Sequence, residues 1–171
     1  MLAYKFLRAG AVAPFSGFAW PVGEWVEAGE ASLCVSGVHA CRVRDLPYWL
    51  GAELWEVELD GQLREESRKL VAPRGRLVRR HERWDATARA GFAEACARRV
   101  RERAEASTGD RADELAGFAD DAAANAARGE VALIGFIAAR AAEIDAGAEG
   151  YAAERDAQAG WLASDLRLDD G

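Results

Sequence analysis

Apolar and polar positions alternate in several short segments of the first half of the chain, with the two-residue period of half-buried β-strands. Residues 53–59 show it most clearly, because Trp55, Val57 and Leu59 fall on one face and a turn signal, Asp60-Gly61, follows. Shorter runs of the same kind predict further strands at residues 3–7, 37–41, 70–72 and 77–80. The last two flank a Pro-Arg-Gly turn and are predicted as a strand or a hairpin.

A short helix is predicted over residues 45–52, since Asp45 can cap it and Pro47 falls early enough to be tolerated. The stretch before residue 37 is rich in Pro, Gly and aromatic residues, which favours loops. We expect Trp20 and Trp25 to anchor those loops to the core.

From residue 82 onward the apolar period becomes helical. Positions four apart line one face, as in Ala88, Phe92, Cys96 and Val100. Breaks at residues 107–110, at Gly129 and near residue 147 divide this half into four alanine-rich helices. The sequence therefore predicts an α+β fold, in which a small antiparallel or mixed sheet from residues 1–81 packs against four helices from residues 82–171 as one compact unit.

Composition indicates a folded protein, because half of the residues are apolar and 30% are charged. The net charge is −7, and residues 82–171 hold 11 basic and 19 acidic residues, so a nucleic-acid partner is not expected. The basic run from Arg74 to Arg80 could contact phosphate with Trp84 stacking on a base, but a solvated strand face is favoured.

Localisation is predicted to be cytoplasmic, with no membrane partner, because no apolar stretch approaches the length of a membrane helix and no secretory signal is recognised. The three cysteines, Cys34, Cys41 and Cys96, are an odd set and do not resemble a disulfide framework. We expect them to be reduced thiols.

Cys34, His39 and Cys41, with His81 as a possible fourth group, form the sharpest cluster of metal-ligand residue types. Their spacing departs from known zinc modules, so the prediction is no metal, and buried thiols with a hydrogen-bonded histidine instead. Nucleophilic catalysis by Cys41 is a weaker alternative. The chain also shows no phosphate loop, nucleophile elbow or H-E-x-x-H motif, and the catalytic residues remain unknown.

Three runs carry a resemblance to a known family: GVHACR at residues 37–42, DLPYWL at 45–50 and ELWEVELDG at 53–61. Together they resemble an uncharacterised domain family of phages and actinobacteria, in which a G-[VF]-H-x-C strand precedes a short helix and an E-V-x-L-x-G strand. The resemblance covers about residues 4–80 and implies no particular activity.

The same order of elements is more distantly similar to the centre of ADP-ribosyltransferase folds. That resemblance implies NAD as the cofactor, residues 39–41 on the nicotinamide-binding strand and Tyr48 or Trp49 near the ring. Glu56 or Glu58 would take the acidic position, whereas Cys41 stands where those enzymes carry Ser or Thr.

The predicted function is an intracellular binding or accessory module for a protein or small-molecule partner, with no cofactor. An ADP-ribosyltransferase-like, NAD-binding enzyme is the alternative. The candidate ligand-binding residues are His39, Cys41, Arg42, Tyr48 and Trp49. His39 offers a donor and an acceptor nitrogen, and the two aromatic rings offer a flat apolar wall beside it.

Overall fold

The computed structural model describes residues 1–29 and 37–168, and it has the predicted α+β class. The chain divides into two compact units. The β unit runs from Met1 to Trp84 and takes in the chain end from Leu166, and the helical unit is Asp85–Asp165. The predicted division between residues 81 and 82 lies close to this boundary, and the arrangement as one compact whole stays a prediction.

The described part of the β unit contains two antiparallel sheets, where the sequence predicted a single small sheet. The four-stranded sheet has the order β1-β4-β7-β2 and the three-stranded sheet has the order β3-β6-β5. Their bounds are β1 Leu2–Leu7, β2 Trp25–Glu27, β3 Val38–Ala40, β4 Glu53–Asp60, β5 Arg64–Glu66, β6 Lys69–Ala72 and β7 Arg74–Arg80. The backbones of Tyr4 and Cys41 exchange two hydrogen bonds and so join β1 to the end of β3.

Apolar side chains from both sheets form the core of the β unit. The predicted inward face of β4 is confirmed, because Trp55, Val57 and Leu59 are buried there. Gly75 allows a close approach between the two sheets, since a Cβ at that position would lie 2.7 Å from Val38 Cγ1. Core residues contributed by the two sheets include Ala3, Leu7 and Leu77 on one side and Ala40, Leu70 and Ala72 on the other.

The prediction of a hairpin over residues 70–80 is wrong, although both strands are present. β6 pairs with β3 and β5, whereas β7 pairs with β4 and β2. Pro73 is the single residue between them, and the chain passes there from one sheet to the other. Proline has no N–H to give to a strand ladder, which suits it to this corner.

The helix predicted over residues 45–52 is instead a 3-10 helix, Val43–Tyr48. Asp45 lies inside it, and the residue at the cap position, Arg42, makes no side-chain cap bond. Pro47 cannot donate an α-helical hydrogen bond, and the amide of Trp49, two residues further on, donates to the carbonyl three residues back, on Leu46, at 2.9 Å.

The helical unit is built from α1 Ala86–Ala106, α2 Asp110–Arg128 and α3 Val131–Leu166. The predicted stop near residue 147 is confirmed as a break inside α3, where Gly147 has a φ of +66°. The sequence analysis did not predict Asp85 as the N-cap of α1, where its carboxylate accepts from the Ala88 amide at 2.8 Å. Phe92 is fully buried and packs edge-to-face on Trp161 at 5.4 Å.

Candidate functional site

The predicted site residues His39 and Cys41 lie on and just after β3. His39 Nδ1 is 3.1 Å from the Gly37 carbonyl, so this nitrogen carries the proton and donates. Nε2 is buried and has no hydrogen-bond partner among the described residues. Burial is the main cause that lowers the pKa of His39, and the nearby Lys5 amine lowers it further. The imidazole is therefore neutral at pH 7.

The Cys41 thiol lacks the features of a nucleophile, because burial raises its pKa. Cys96, in α1, is likewise a free buried thiol, with its pKa raised by burial to about 12. Residues 1–29 and 37–168 contain no group of three potential metal ligands. Cys34 lies outside the described residues, so the predicted absence of a metal stays a prediction.

The other three predicted site residues hold the hairpin formed by β5 and β6. The Arg42 guanidinium donates to both carboxylate oxygens of Glu65, at 3.1 and 2.8 Å. Trp49 Nε1 donates to the Arg68 carbonyl at 3.0 Å, and the Arg68 guanidinium stacks on the Tyr48 ring at 3.8 Å. The structure thus brings these three side chains together around one hairpin, while their ligand-binding role stays a prediction.

The basic run of β7 faces carboxylates of β4 across the four-stranded sheet. Arg79 bonds Glu56, Arg76 bonds Glu58 and Arg74 bonds Asp60. We call these three pairs the ion-pair ladder. Trp25 is 37% exposed above it, with its ring 4.8 Å from the Arg74 guanidinium and 4.9 Å from that of Arg76, so the expected core anchor is wrong for Trp25. Trp20 is buried in the core as predicted.

A cleft of about 400 Å³ lies in the β unit, where the end of β7 meets the end of the chain. We call it the arginine cleft. It is lined by Arg79, Arg80, His81, Glu82, Arg83, Leu166 and Arg167. Four arginines therefore line this open cleft, whose volume is in the range of small-molecule sites.

Two of these arginines are compensated and two are not. Arg79 pairs with Glu56, and Arg80 lies 3.3 Å from Glu53 Oε1. Arg83 and Arg167 form no ion pair with any residue in the described ranges, and both are exposed. The Glu82 carboxylate also lines the cleft, 3.7 Å from Arg80, so the four arginines exceed the carboxylates Glu53, Glu56 and Glu82 by one positive charge.

Glu53 pairs with Arg80, which lines the arginine cleft, and His81 lines the cleft itself. The Glu53 carboxylate accepts from the amides of Gly10 and Ala11, at 3.0 and 3.1 Å, and from Trp55 Nε1 at 3.1 Å. Burial opposes its ionisation, but these bonds and Arg80 outweigh burial and hold the pKa of Glu53 below its usual value. Arg80 is therefore tied to a fixed anion.

His81 is buried, with Nε2 3.2 Å from Glu56 Oε1 but off the direction of a hydrogen bond. Burial lowers the pKa of His81 more than the Glu56 carboxylate raises it. The imidazole is thus neutral at pH 7 and adds no charge to the arginine cleft.

A smaller cleft of about 250 Å³ lies beside Arg42 and Arg44. Both of these guanidinium groups already bond Glu65, and Arg44 also lies 3.8 Å from Asp45. Both arginines of this cleft are thus compensated, in contrast to Arg83 and Arg167. Sequence reasoning missed the arginine cleft because its two uncompensated residues are 84 positions apart. The one indication in the local sequence was that Arg83 follows β7, whose arginines pair with carboxylates of β4.

The helical unit contains a buried polar network that the sequence did not predict. Glu154 is 1% exposed. Both of its carboxylate oxygens accept from Nε of Arg99, and Oε1 also accepts from a terminal guanidinium nitrogen of Arg99 at 2.7 Å. Gln158, fully buried, donates to Glu154 and to the Gly135 carbonyl at 2.9 Å each. Arg155 donates to the Gln158 amide oxygen at 3.0 Å. We call this group the Glu154 network.

The fold is α+β, and the two-sheet β unit contains both clefts described above. The family model described as "Domain of unknown function (DUF7666)" matches residues 1–89, just over half of the 171 residues. The chain belongs to this family, in agreement with the predicted resemblance to an uncharacterised domain family. Neither the curated proteins nor the solved structures yield a match. Among the described residues, no helix is long and apolar enough to cross a membrane.

Proposed function

We propose that this protein is a binding module for a small anionic molecule, which it holds in the arginine cleft. The observation that carries the proposal is the pair of uncompensated guanidinium groups, Arg83 and Arg167, facing one cleft of about 400 Å³. Guanidinium groups bind carboxylate and phosphate through paired, charge-assisted hydrogen bonds. An anion in the cleft would supply the partner that both arginines lack among the described residues.

A small ligand is favoured over a nucleic acid. The basic side chains of β7 outside the cleft, Arg74 and Arg76, are compensated by Asp60 and Glu58, so no extended positive track continues from the cleft along that strand. The whole chain carries a net charge of −7, which repels a phosphate backbone. Local positive charge within an acidic protein instead suits one compact anion.

Calorimetric titration with inorganic phosphate, citrate and adenosine monophosphate tests the proposal. We expect at least one of these anions to bind, and the double variant Arg83→Ala/Arg167→Ala to lose about tenfold to a hundredfold in affinity. This range follows from about 1.5–3 kcal/mol for hydrogen bonds to charged groups.

The matched control is the double variant Arg8→Ala/Arg64→Ala. These two exposed arginines also form no ion pair within the described ranges, and they do not line the cleft, so their removal changes the net charge equally. We expect the control to bind within about twofold of the wild type. Equal weakening in both double variants would reduce the effect to net charge, and no binding of any of the three anions would refute the proposal.

NAD is included in the same titration because it is the ligand of the enzyme alternative. That alternative requires a free acidic group, whereas Glu56 and Glu58 both bond arginines and lie in a different sheet from His39. Release of nicotinamide on incubation with NAD, abolished by Glu58→Gln, would support the enzyme over the binding module.

A further inference from the structure

His81 lies between the ion-pair ladder and the arginine cleft. It follows β7 directly, lines the cleft and has a side chain that is 6% exposed. Its ring packs on that of Tyr4, with 5.6 Å between the ring centres. The two ring nitrogens have different surroundings. Nε2 is sealed from solvent, whereas Nδ1 is neither sealed nor bonded to any described residue, so Nδ1 is the nitrogen that reaches the cleft.

The Glu56 carboxylate determines which nitrogen of the neutral imidazole carries the proton. Oε1 of Glu56 lies 3.2 Å from His81 Nε2. The bond from Arg79 is the main cause that lowers the pKa of Glu56, so this group is ionised at pH 7 and offers only lone pairs. A lone pair on Nε2 would repel it. The proton is therefore on Nε2, and Nδ1 presents a hydrogen-bond acceptor to the cleft.

This acceptor faces a cleft whose other polar groups are charged. The titratable and charged groups around His81 come from β1, β4, β7 and the segments that line the cleft: Tyr4, Glu56, Arg79, Arg80, Glu82, Arg83 and Arg167. The guanidinium groups can only donate, whereas Nδ1 and the Glu82 carboxylate can only accept. An occupant that satisfies both kinds of group is an anion that also carries a hydroxyl hydrogen.

We propose that the arginine cleft binds hydrogen phosphate, and that His81 Nδ1 accepts the hydroxyl hydrogen of this anion. The proposal rests on the function proposed above and adds the class of anion. Sulfate has the same tetrahedral shape and, at about pH 8, the same double negative charge, but it has no hydrogen to donate. A sulfate oxygen would meet the lone pair of Nδ1, which leaves both atoms unpaired.

Calorimetric titration of the whole chain with sodium phosphate and sodium sulfate, at about pH 8 and equal ionic strength, tests the proposal. We expect phosphate to bind at least about tenfold more tightly than sulfate, and this binding to weaken in Arg83→Ala/Arg167→Ala. Sulfate binding as tight as that of phosphate would overturn the choice of anion and leave the binding module intact. Binding of citrate or adenosine monophosphate without phosphate would do the same, and failure of every anion would refute both proposals.

His81→Phe tests the role of the acceptor, because it keeps a flat ring against Tyr4 and removes both nitrogens. We expect the variant to lose phosphate affinity and no sulfate affinity, so that the two dissociation constants agree within about threefold. The matched control is His39→Phe, since His39 lies in the other sheet and lines neither of the two described clefts. It should keep the wild-type ratio. The wild-type ratio in His81→Phe would overturn the role of Nδ1.

Nuclear magnetic resonance of the wild type gives a second test without any substitution, because His39 and His81 are the two histidines of the chain. Protonation of His81 places a hydrogen on Nδ1 and turns the acceptor into a donor, which sulfate can then bond. Saturating sulfate should therefore raise the pKa of His81 by about 1 and leave that of His39 unchanged. A His81 pKa that does not respond to sulfate would show that Nδ1 does not contact the anion, and would overturn the proposal.

Discussion

Glu154 in the helical unit and Lys5 in the β unit are both charged side chains placed among apolar neighbours, but their partners differ. Glu154 accepts hydrogen bonds from Arg99 and Gln158, and Gln158 in turn bonds Arg155 and the Gly135 carbonyl. Lys5 has one backbone carbonyl and an aromatic face. The helical unit thus pairs its buried carboxylate with a guanidinium, whereas the largely buried Lys5 amine of the β unit has no carboxylate partner within the described residues.

This difference indicates two uses of buried charge. A satisfied network joins segments of α1 and α3 in one geometry, and its cost of desolvation is offset by charge-assisted bonds. An uncompensated amine stabilises nothing comparable, and its charged form costs free energy in the folded state. Exposed pairs such as the ion-pair ladder form a third case, because water screens them and each contributes little.

The largest expected effect is on the Glu154 network. Glu154→Ala leaves the half-buried Arg99 guanidinium and the buried Gln158 amide without the carboxylate that both donate to, so we expect the free energy of unfolding to fall by about 3–5 kcal/mol. Urea denaturation followed by circular dichroism measures it. The matched control is Glu94→Ala, which removes an exposed partner of Arg101 in the same unit and should cost less than about 1 kcal/mol. Equal losses would show that burial does not determine how much an ion pair contributes to the free energy of unfolding.

Lys5→Met is expected to have an intermediate, pH-dependent effect. The pKa of Lys5 is lowered in the folded state to about 8 from 10.5, so the folded protein binds fewer protons between these values and gains stability as pH rises. Between pH 7 and pH 10, unfolding free energy should rise in the wild type by about 2 kcal/mol relative to Lys5→Met. Lys5 does not act on the Cys96 thiol, so the titration of Cys96 cancels in the difference between the two proteins. A constant difference across this range would show that the amine is not desolvated.

The smallest effect is expected in the ion-pair ladder. Arg76→Ala removes the partner of Glu58, and both side chains are more than one third exposed. We expect a loss below about 1 kcal/mol in the free energy of unfolding, and a smaller one in 1 M salt. A loss of several kcal/mol at high salt would show that these exposed pairs stabilise the fold as strongly as the Glu154 network does.

Features set by local pattern were predictable from the sequence, and features set by distant contacts were not. Alternation identified β4, and the break at Gly147 followed from glycine's tolerance of positive φ. The strand β5 was missed because its exposed residues, Arg64–Glu66, show no apolar period. The Glu154 network was missed because Arg99 and Glu154 are 55 positions apart.

The candidate site shows the same division. The predicted residues Arg42, Tyr48 and Trp49 are close in sequence and lie together, but around the β5 and β6 hairpin. The arginine cleft requires the return of the chain end to β7, and no local pattern records that return. Whether an arginine has a carboxylate partner depends on distances in the folded chain, and residue types alone do not reveal those distances.

The passage of the chain from one sheet to the other at Pro73 has a consequence for folding. β6 and β7 are consecutive, so neither sheet can complete its pairing without fixing the position of a strand that belongs to the other. Gly75 then brings β7 against Val38 of the three-stranded sheet with no space for a side chain. The two sheets should therefore form and melt as one cooperative element, and amide exchange in β3 and β4 should report a single opening event rather than two.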